Sequence, residues 1–293
     1  MEALSCLIAK ASVSGCFKGI VLPNGGPLVS HLFYAYDALI LGEWEEDNFK
    51  AVARILRVFF PCSGLKINFN KSNLYGVGTE DADVVQMASI VGCERGSSPF
   101  TYLGIQLGAN MNRVRNWDPI FGIFKNRLAS WKAHSLSIVG RVVLIKAVLE
   151  SPPIYYFSIF KAPVKVVDKL ESLMKNFLWG GSEEVRKTHW VAWEKVSRSK
   201  KDGELGLCKL KLVNEALLAK WVWRFKLEDN SLWKRVIMVC HGRKRRWSFL
   251  PSNPSVPGVW NNIRKMEEKL IVNGKRIHSL VKGVVGNGNN IRF

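Results

Sequence analysis

The chain has 293 residues, 47% of them hydrophobic, with eleven tryptophans and a formal net charge of +19. That apolar content excludes wholesale disorder, and the length makes two domains the soft expectation. The charge is lopsided, with 8 Lys/Arg against 10 Asp/Glu in residues 1–100 and 35 against 14 in residues 101–293.

In chain order, residues 28–42, "LVSHLFYAYDALILG", predict two short strands with a turn near Tyr36 and Asp37. One carboxylate in an apolar run is costly to bury unpaired. Asp37 therefore either sits at an exposed hairpin tip, where Asp is common, or marks a site. The next stretch, "EWEEDNFKAVARILRVFF", gathers acids before Val52, Ile55, Leu56, Phe59 and Phe60, whose spacings of three and four predict an amphipathic helix. Glu43, Glu45, Glu46 and Asp47 read as its solvated start rather than as metal ligands. Pro61 and Gly64 are expected to end it. "LKINFNKSNLYGV" alternates Leu65, Ile67 and Phe69 with Lys66, Asn68 and Asn70, which predicts a half-buried strand. "FTYLGIQLG" predicts another, with Gly104 at a bend.

From about residue 112 the texture is helical. "NRLASWKAHSLSIVGRVVLIKAVLES" is expected to break at Pro152-Pro153. Residues 162–181 place Val166, Val167, Leu170, Leu173, Met174, Phe177 and Leu178 on one stripe before Gly180-Gly181. A third helix, "VNEALLAKWVWRF", carries Trp221 and Trp223, read as core rather than as a base-stacking platform. "PSNPSVPG" at 251–258 is the clearest linker.

No apolar run reaches the roughly 20 residues of a membrane span, and "MEALSCLIAK" lacks a basic leader, so neither a membrane nor a signal peptide is expected. The six cysteines form no C-x-x-C pair and read as reduced thiols, which suits an intracellular compartment, nuclear or cytoplasmic. The basic rear half suits a polyanion, or simply solubility. "GRKRRW" at 242–247 reads as a nuclear-import patch, a phosphate patch or a solvated loop. Nothing in the sequence points to a small-molecule ligand.

Taken in order, "VSHLFYAYDALIL", "SGLKINFNKS", "FTYLGIQLG", "LSIVGRVVLIKAVLESPPIYYFSIFKAP", "FLWGG", "HWVAWEKV", "GELGLCKLKLVNEALLAKWVWR" and "VGNGNNIRF" cover nearly the whole chain. Together they resemble the reverse transcriptase of plant non-long-terminal-repeat (LINE-type) retrotransposons. The resemblance implies an α+β fold: a partial palm with a short antiparallel sheet over residues 1–111, a thumb-like helical region over 112–182, a helical connection over 183–250, and the start of a C-terminal region over 251–293. It implies truncation at both ends, with the fingers and first half of the palm upstream of "MEALSCLIAK".

The same resemblance implies roles for residues. "YAYD" falls where the family has an F/Y-A-D-D hairpin holding two divalent metals, so Asp37 is the surviving metal-ligand position and Tyr36 replaces the paired aspartate. Gly64, Asn68 and Lys71 match the next palm motif, and "YLGI" matches the primer-gripping turn. Lys66, Lys71, Tyr102, Gly104, Arg127, Lys132, Arg141 and Lys146 are thereby candidate nucleic-acid contacts, with plain solvation the alternative for Lys66 and Lys71. Mg²⁺ is the family's cofactor, but productive binding is not expected here, because two-metal transfer needs several carboxylates around ions roughly 3.5–4 Å apart. A neutral tyrosine cannot replace one. The expected function is an inactive remnant of a LINE-type RNA-directed DNA polymerase, partnered by RNA, RNA–DNA hybrid or DNA. A retained nucleic-acid-binding module and an unstable pseudogene product are the alternatives.

Overall fold

A computed structural model describes residues 1–130, 135–181, 187–242, 250–269, 271–272 and 274–276. The chain divides into two compact units, Met1–Ala109 with Arg235–Cys240, and Asn110–Lys234 with His241–Phe293. The architecture is α+β.

The first unit starts with α1 (Glu2–Val13), which buries Leu4 and Ile8. Strands β1 (Ile20–Val21) and β2 (Leu28–Val29) pair antiparallel, as do β3 (His31–Tyr34) and β4 (Asp37–Ile40). Helix α2 (Glu46–Ser63) follows, with Glu46 and Asp47 at its positive end. Leu4, Ile8, Phe17, Ala51, Leu56 and Phe59 form the core, and Phe33 and Ile40 of the hairpin pack against it half-buried. Asn48 is 4% exposed and ties the hairpin's flanks together. Its Oδ1 accepts from Lys18 N at 2.7 Å, and its Nδ2 donates to Lys18 O at 2.8 Å and Glu43 O at 3.0 Å.

Gly64 ends α2 as expected, but the Pro61 stop and the strand over residues 65–68 are not found. Helix α2 runs through Pro61 to Ser63 and ends on Gly64, whose φ of 71° fits a left-handed cap. Residues 65–68 form no strand; a 3₁₀ turn at Phe69–Lys71 follows them. Their alternation survives in part, since Ile67 and Phe69 pack half-buried on the core while Lys66, Asn68 and Asn70 are exposed. Leu65, placed on the buried face by the alternation, is 50% exposed.

Strand β5 (Asn73–Leu74) pairs in parallel with β6 (Glu94–Arg95) across α3 (Asp81–Val91). Strands β7 (Phe100–Tyr102) and β8 (Ile105–Leu107) close the unit as a hairpin. In place of one antiparallel sheet, the unit holds separate two-stranded ladders.

The second unit is helical: α4 (Asp118–Ser130), α5 (Ile138–Leu144), a π turn (Ile145–Leu149), α6 (Ser151–Phe157) and α7 (Val164–Leu178). Pro152 and Pro153 begin α6 rather than break a helix, because a first-turn N–H has no intrahelical partner to lose. On α7, Val166, Leu170, Met174 and Leu178 are fully buried. Each such side chain stabilises by about 1.5–3 kcal/mol. After α8 (Trp193–Val196), α9 (Leu210–Leu227) packs on α6 and α7. Helix α10 (Leu232–His241) contributes residues to both units, and α11 (Val259–Lys269) packs on α9. Trp221, Phe225, Trp233 and Trp260 cluster with ring centroids 5.1 to 6.2 Å apart. Trp223 departs from its expected core placement at 50% exposed. No helix among the described residues is long and apolar enough to cross a membrane.

Candidate functional site

The β3–β4 hairpin pairs Tyr34 with Asp37 and turns through Ala35 and Tyr36 alone. Two-residue hairpin turns favour positive φ at their first position, where glycine is usual. Ala35 sits there at φ 50°. A side chain held in that region costs free energy, and such strain collects at functional sites. Tyr36 is 90% exposed and Asp37 is exposed, so the carboxylate is solvated. Asp37 opens β4 rather than occupying the turn.

The β7–β8 hairpin also turns in two residues, Leu103 at φ 50° and Gly104 at φ 75°. Positive φ at both marks a type I′ turn, which explains the glycine and leaves Leu103 strained. Tyr102 lies just before this turn and is half-buried. Burial first, and the Asp37 charge second, hold its phenol above the ordinary value. That coupling brings Asp37 and Tyr102, 65 residues apart in sequence, into one electrostatic neighbourhood.

Lys66 and Lys71 are exposed on the segment after α2. Of the acids at the start of α2, Glu45 pairs with Lys18 at 2.8 Å and Glu46 with Lys50 at 2.6 Å. Behind the hairpin, His31 lies between two hydroxyls, with Ser5 Oγ 2.7 Å from Nε2 and Ser30 Oγ 2.9 Å from Nδ1. Burial lowers its pKa.

The donor set at the hairpin tip does not fit a two-metal centre. Asp37 is the single carboxylate of the hairpin, and its neighbours Tyr34, Tyr36 and Tyr102 are phenols, which cannot neutralise a divalent ion. Among the described residues no group of three or more His, Cys, Asp or Glu is placed to hold a metal ion.

Three candidate cations of the second unit, Arg127, Arg141 and Lys146, are half-buried and hydrogen-bonded to main-chain carbonyls. Arg127 Nη1 donates to Val148 O at 2.5 Å, and Lys146 Nζ to Leu205 O at 2.5 Å. Arg141 Nη1 donates to Leu178 O at 2.8 Å, a cation at the negative end of α7. Gly180, at φ 75°, leaves room for it, since a Cβ there would lie 2.6 Å from Nη1. Lys132 and most of "GRKRRW" lie outside the described residues, as does "VGNGNNIRF".

Sequence reasoning missed two fixings. The π turn's Lys146 and, just after it, Glu150 hold residues 205–208, with Glu150 Oε1 accepting from Cys208 N at 2.8 Å. Asn214, 4% exposed on α9, accepts from Ala162 N and donates to Phe157 O and Phe160 O. A lone asparagine inside an apolar helix was a readable signal for the second.

No family model matches the chain. Over 172 residues, 57% of this chain, it is 36% identical to an Arabidopsis thaliana protein that carries the provisional name ribonuclease H protein. An uncharacterized mitochondrial protein of the same plant is 40% identical over 86 residues, 29% of this chain. An uncharacterized 149 kDa protein of transposon TX1 from Xenopus laevis is 26% identical over 236 residues, 79% of this chain. One relative is thus a transposon protein. The chain spans 26%, 56% and 17% of these three relatives' lengths, respectively.

Proposed function

We propose that the chain is a retrotransposon-derived segment, the later palm and thumb-like part of a LINE-type reverse transcriptase, that engages nucleic acid without polymerising. The observation that carries this reading is the strained Ala35–Tyr36 turn with Asp37 in the electrostatic neighbourhood of Tyr102. A palm hairpin and a primer-gripping turn would need that placement. The transposon relative and the provisional ribonuclease H name of another support it at a coarser level. The excess of 35 Lys/Arg over 14 Asp/Glu in residues 101–293 supports contact with a polyanion.

In this reading the chain's own residues bind and orient. Exposed Lys66 and Lys71 contact phosphates beside the hairpin, and the Leu103–Gly104 turn presents its backbone to the strand end. Arg127, Arg141 and Lys146 stiffen the helical unit, and their positive charge favours the duplex backbone. Mg²⁺ in the family supplies charge neutralisation for phosphoryl transfer, and the phenol-rich tip here does not hold it.

Primer extension with purified chain, template-primer and Mg²⁺ or Mn²⁺ tests the first half of the proposal. No templated incorporation is expected, and Tyr36→Asp alone is not expected to restore it; incorporation above background in either protein overturns the reading. Affinity for an RNA–DNA hybrid across a salt series tests the second half. Binding should weaken steeply with salt as counterions are released, and absence of binding at low salt would end it.

A further inference from the structure

Helix α9 is apolar on two opposite sides. Leu210, Leu218, Val222 and Phe225 face the core with Asn214. Leu212 (57% exposed), Trp223 (50%) and Leu227 (60%) look outward with exposed Ala216. At 3.6 residues per turn these four fall within an arc of about 60° and extend over about 22 Å of the axis. Scattered exposed leucines are ordinary, but an aligned row marks a docking surface. Its N-terminal end opens into an apolar hollow floored by Leu207, Leu212, Val213 and Ala216.

The borders of this row are cationic. Arg198 and Lys209 edge the hollow, and Lys220 is exposed beside the row on α9, whose one acid is Glu215. Among the described residues none of these three cations forms an ion pair.

We propose that this outward face of α9 docks an acidic amphipathic helix of a partner protein. A helix laid into the row would bury the aliphatic side chains at its own three- and four-residue spacing, and its acids would meet the cations. Nucleic acid would use the cations and Trp223 but gains nothing from Leu212, Ala216 and Leu227. A second copy of the chain would bring the same excess of cations onto itself.

The test uses the full chain and a fluorescein-labelled peptide of about 20 residues, with leucines at helical spacing and glutamates on both flanks. A scrambled peptide, a lysine-flanked peptide and a single-stranded oligonucleotide are the comparisons. The acidic helix should bind best, and Leu212→Glu with Leu227→Glu should weaken it by about tenfold or more. Both substitutions sit on exposed positions, so the thermal melt should stay within a few degrees of the parent. Arg198→Glu with Lys220→Glu should weaken the acidic peptide and strengthen the lysine-flanked one. Equal binding by the scrambled peptide, or insensitivity to the leucine changes, overturns the proposal. So does a melt lost in the leucine variant, which would make the face part of the core. A dimer split by those changes would assign the surface to a second copy. Oligonucleotide binding lost while peptide binding stays would assign it to nucleic acid.

Discussion

Replacing Asn214 by alanine removes a three-way clamp between α9 and the segment joining α6 to α7. Its Nδ2 donates to Phe157 O at 2.9 Å and Phe160 O at 2.8 Å, and its Oδ1 accepts from Ala162 N at 3.0 Å. Phe157 closes α6, so its carbonyl has no partner further along that helix. At 4% exposure for Asn214, water does not readily replace the amide. Each main-chain group left unpaired in a buried site costs about 1–3 kcal/mol. Three of them, taken at the low end because the segment can relax, put the loss near 3 kcal/mol. Urea unfolding followed by tryptophan fluorescence reads this directly, because ten of the eleven tryptophans lie in residues 110–293. Asn126→Ala, on the exposed side of α4, is the control and should stay within about 0.5 kcal/mol of the parent. A loss below about 1 kcal/mol for Asn214→Ala would refute the clamp.

Asp37→Asn should bring the Tyr102 phenol down toward its ordinary value, though not fully, because burial remains the larger cause. Carbon-13 NMR of labelled tyrosine against pH measures it, and an unchanged Tyr102 titration would separate the two hairpin tips. His31 has a folded pKa below its unfolded one, so the unfolded chain binds the extra proton first as pH falls. Its contribution is therefore complete above the unfolded value and lost as pH drops below it toward the folded one; thermal melts between pH 8 and 5 should show this decline, flattened in His31→Asn. Gly180→Ala places a side chain at φ 75° and against Arg141, and should cost about 1–2 kcal/mol in a urea titration.

Periodicity made much of the helical unit readable. The α7 stripe is buried as its spacing requires, because a helix can bury one side only against a neighbour. Alternation over Leu65 to Phe69 was a weaker guide. It reports which side chains turn inward, whereas a strand also needs a ladder partner, and none is paired with residues 65–68. The prolines misled in opposite senses, Pro61 being carried inside the last turn of α2 and Pro152 and Pro153 starting α6. At the hairpin, the lone carboxylate in an apolar run singled out Asp37, and the family resemblance singled out Tyr36. The influence of the Asp37 charge on Tyr102 was not legible, because nothing local encodes a coupling across 65 residues. Nor were the carbonyl partners of Arg127, Arg141 and Lys146, since a main-chain acceptor leaves no mark on residue identity.

The Ala35–Tyr36 turn separates what the first unit does from what keeps it folded. Its inner anchors, Phe33 and Ile40, pack on the Leu4 and Phe59 core, while Tyr36 projects almost wholly into solvent. The Tyr36 side chain can therefore be exchanged with little effect on the protein's stability. A substitution at Tyr36 leaves the packed base of the hairpin in place.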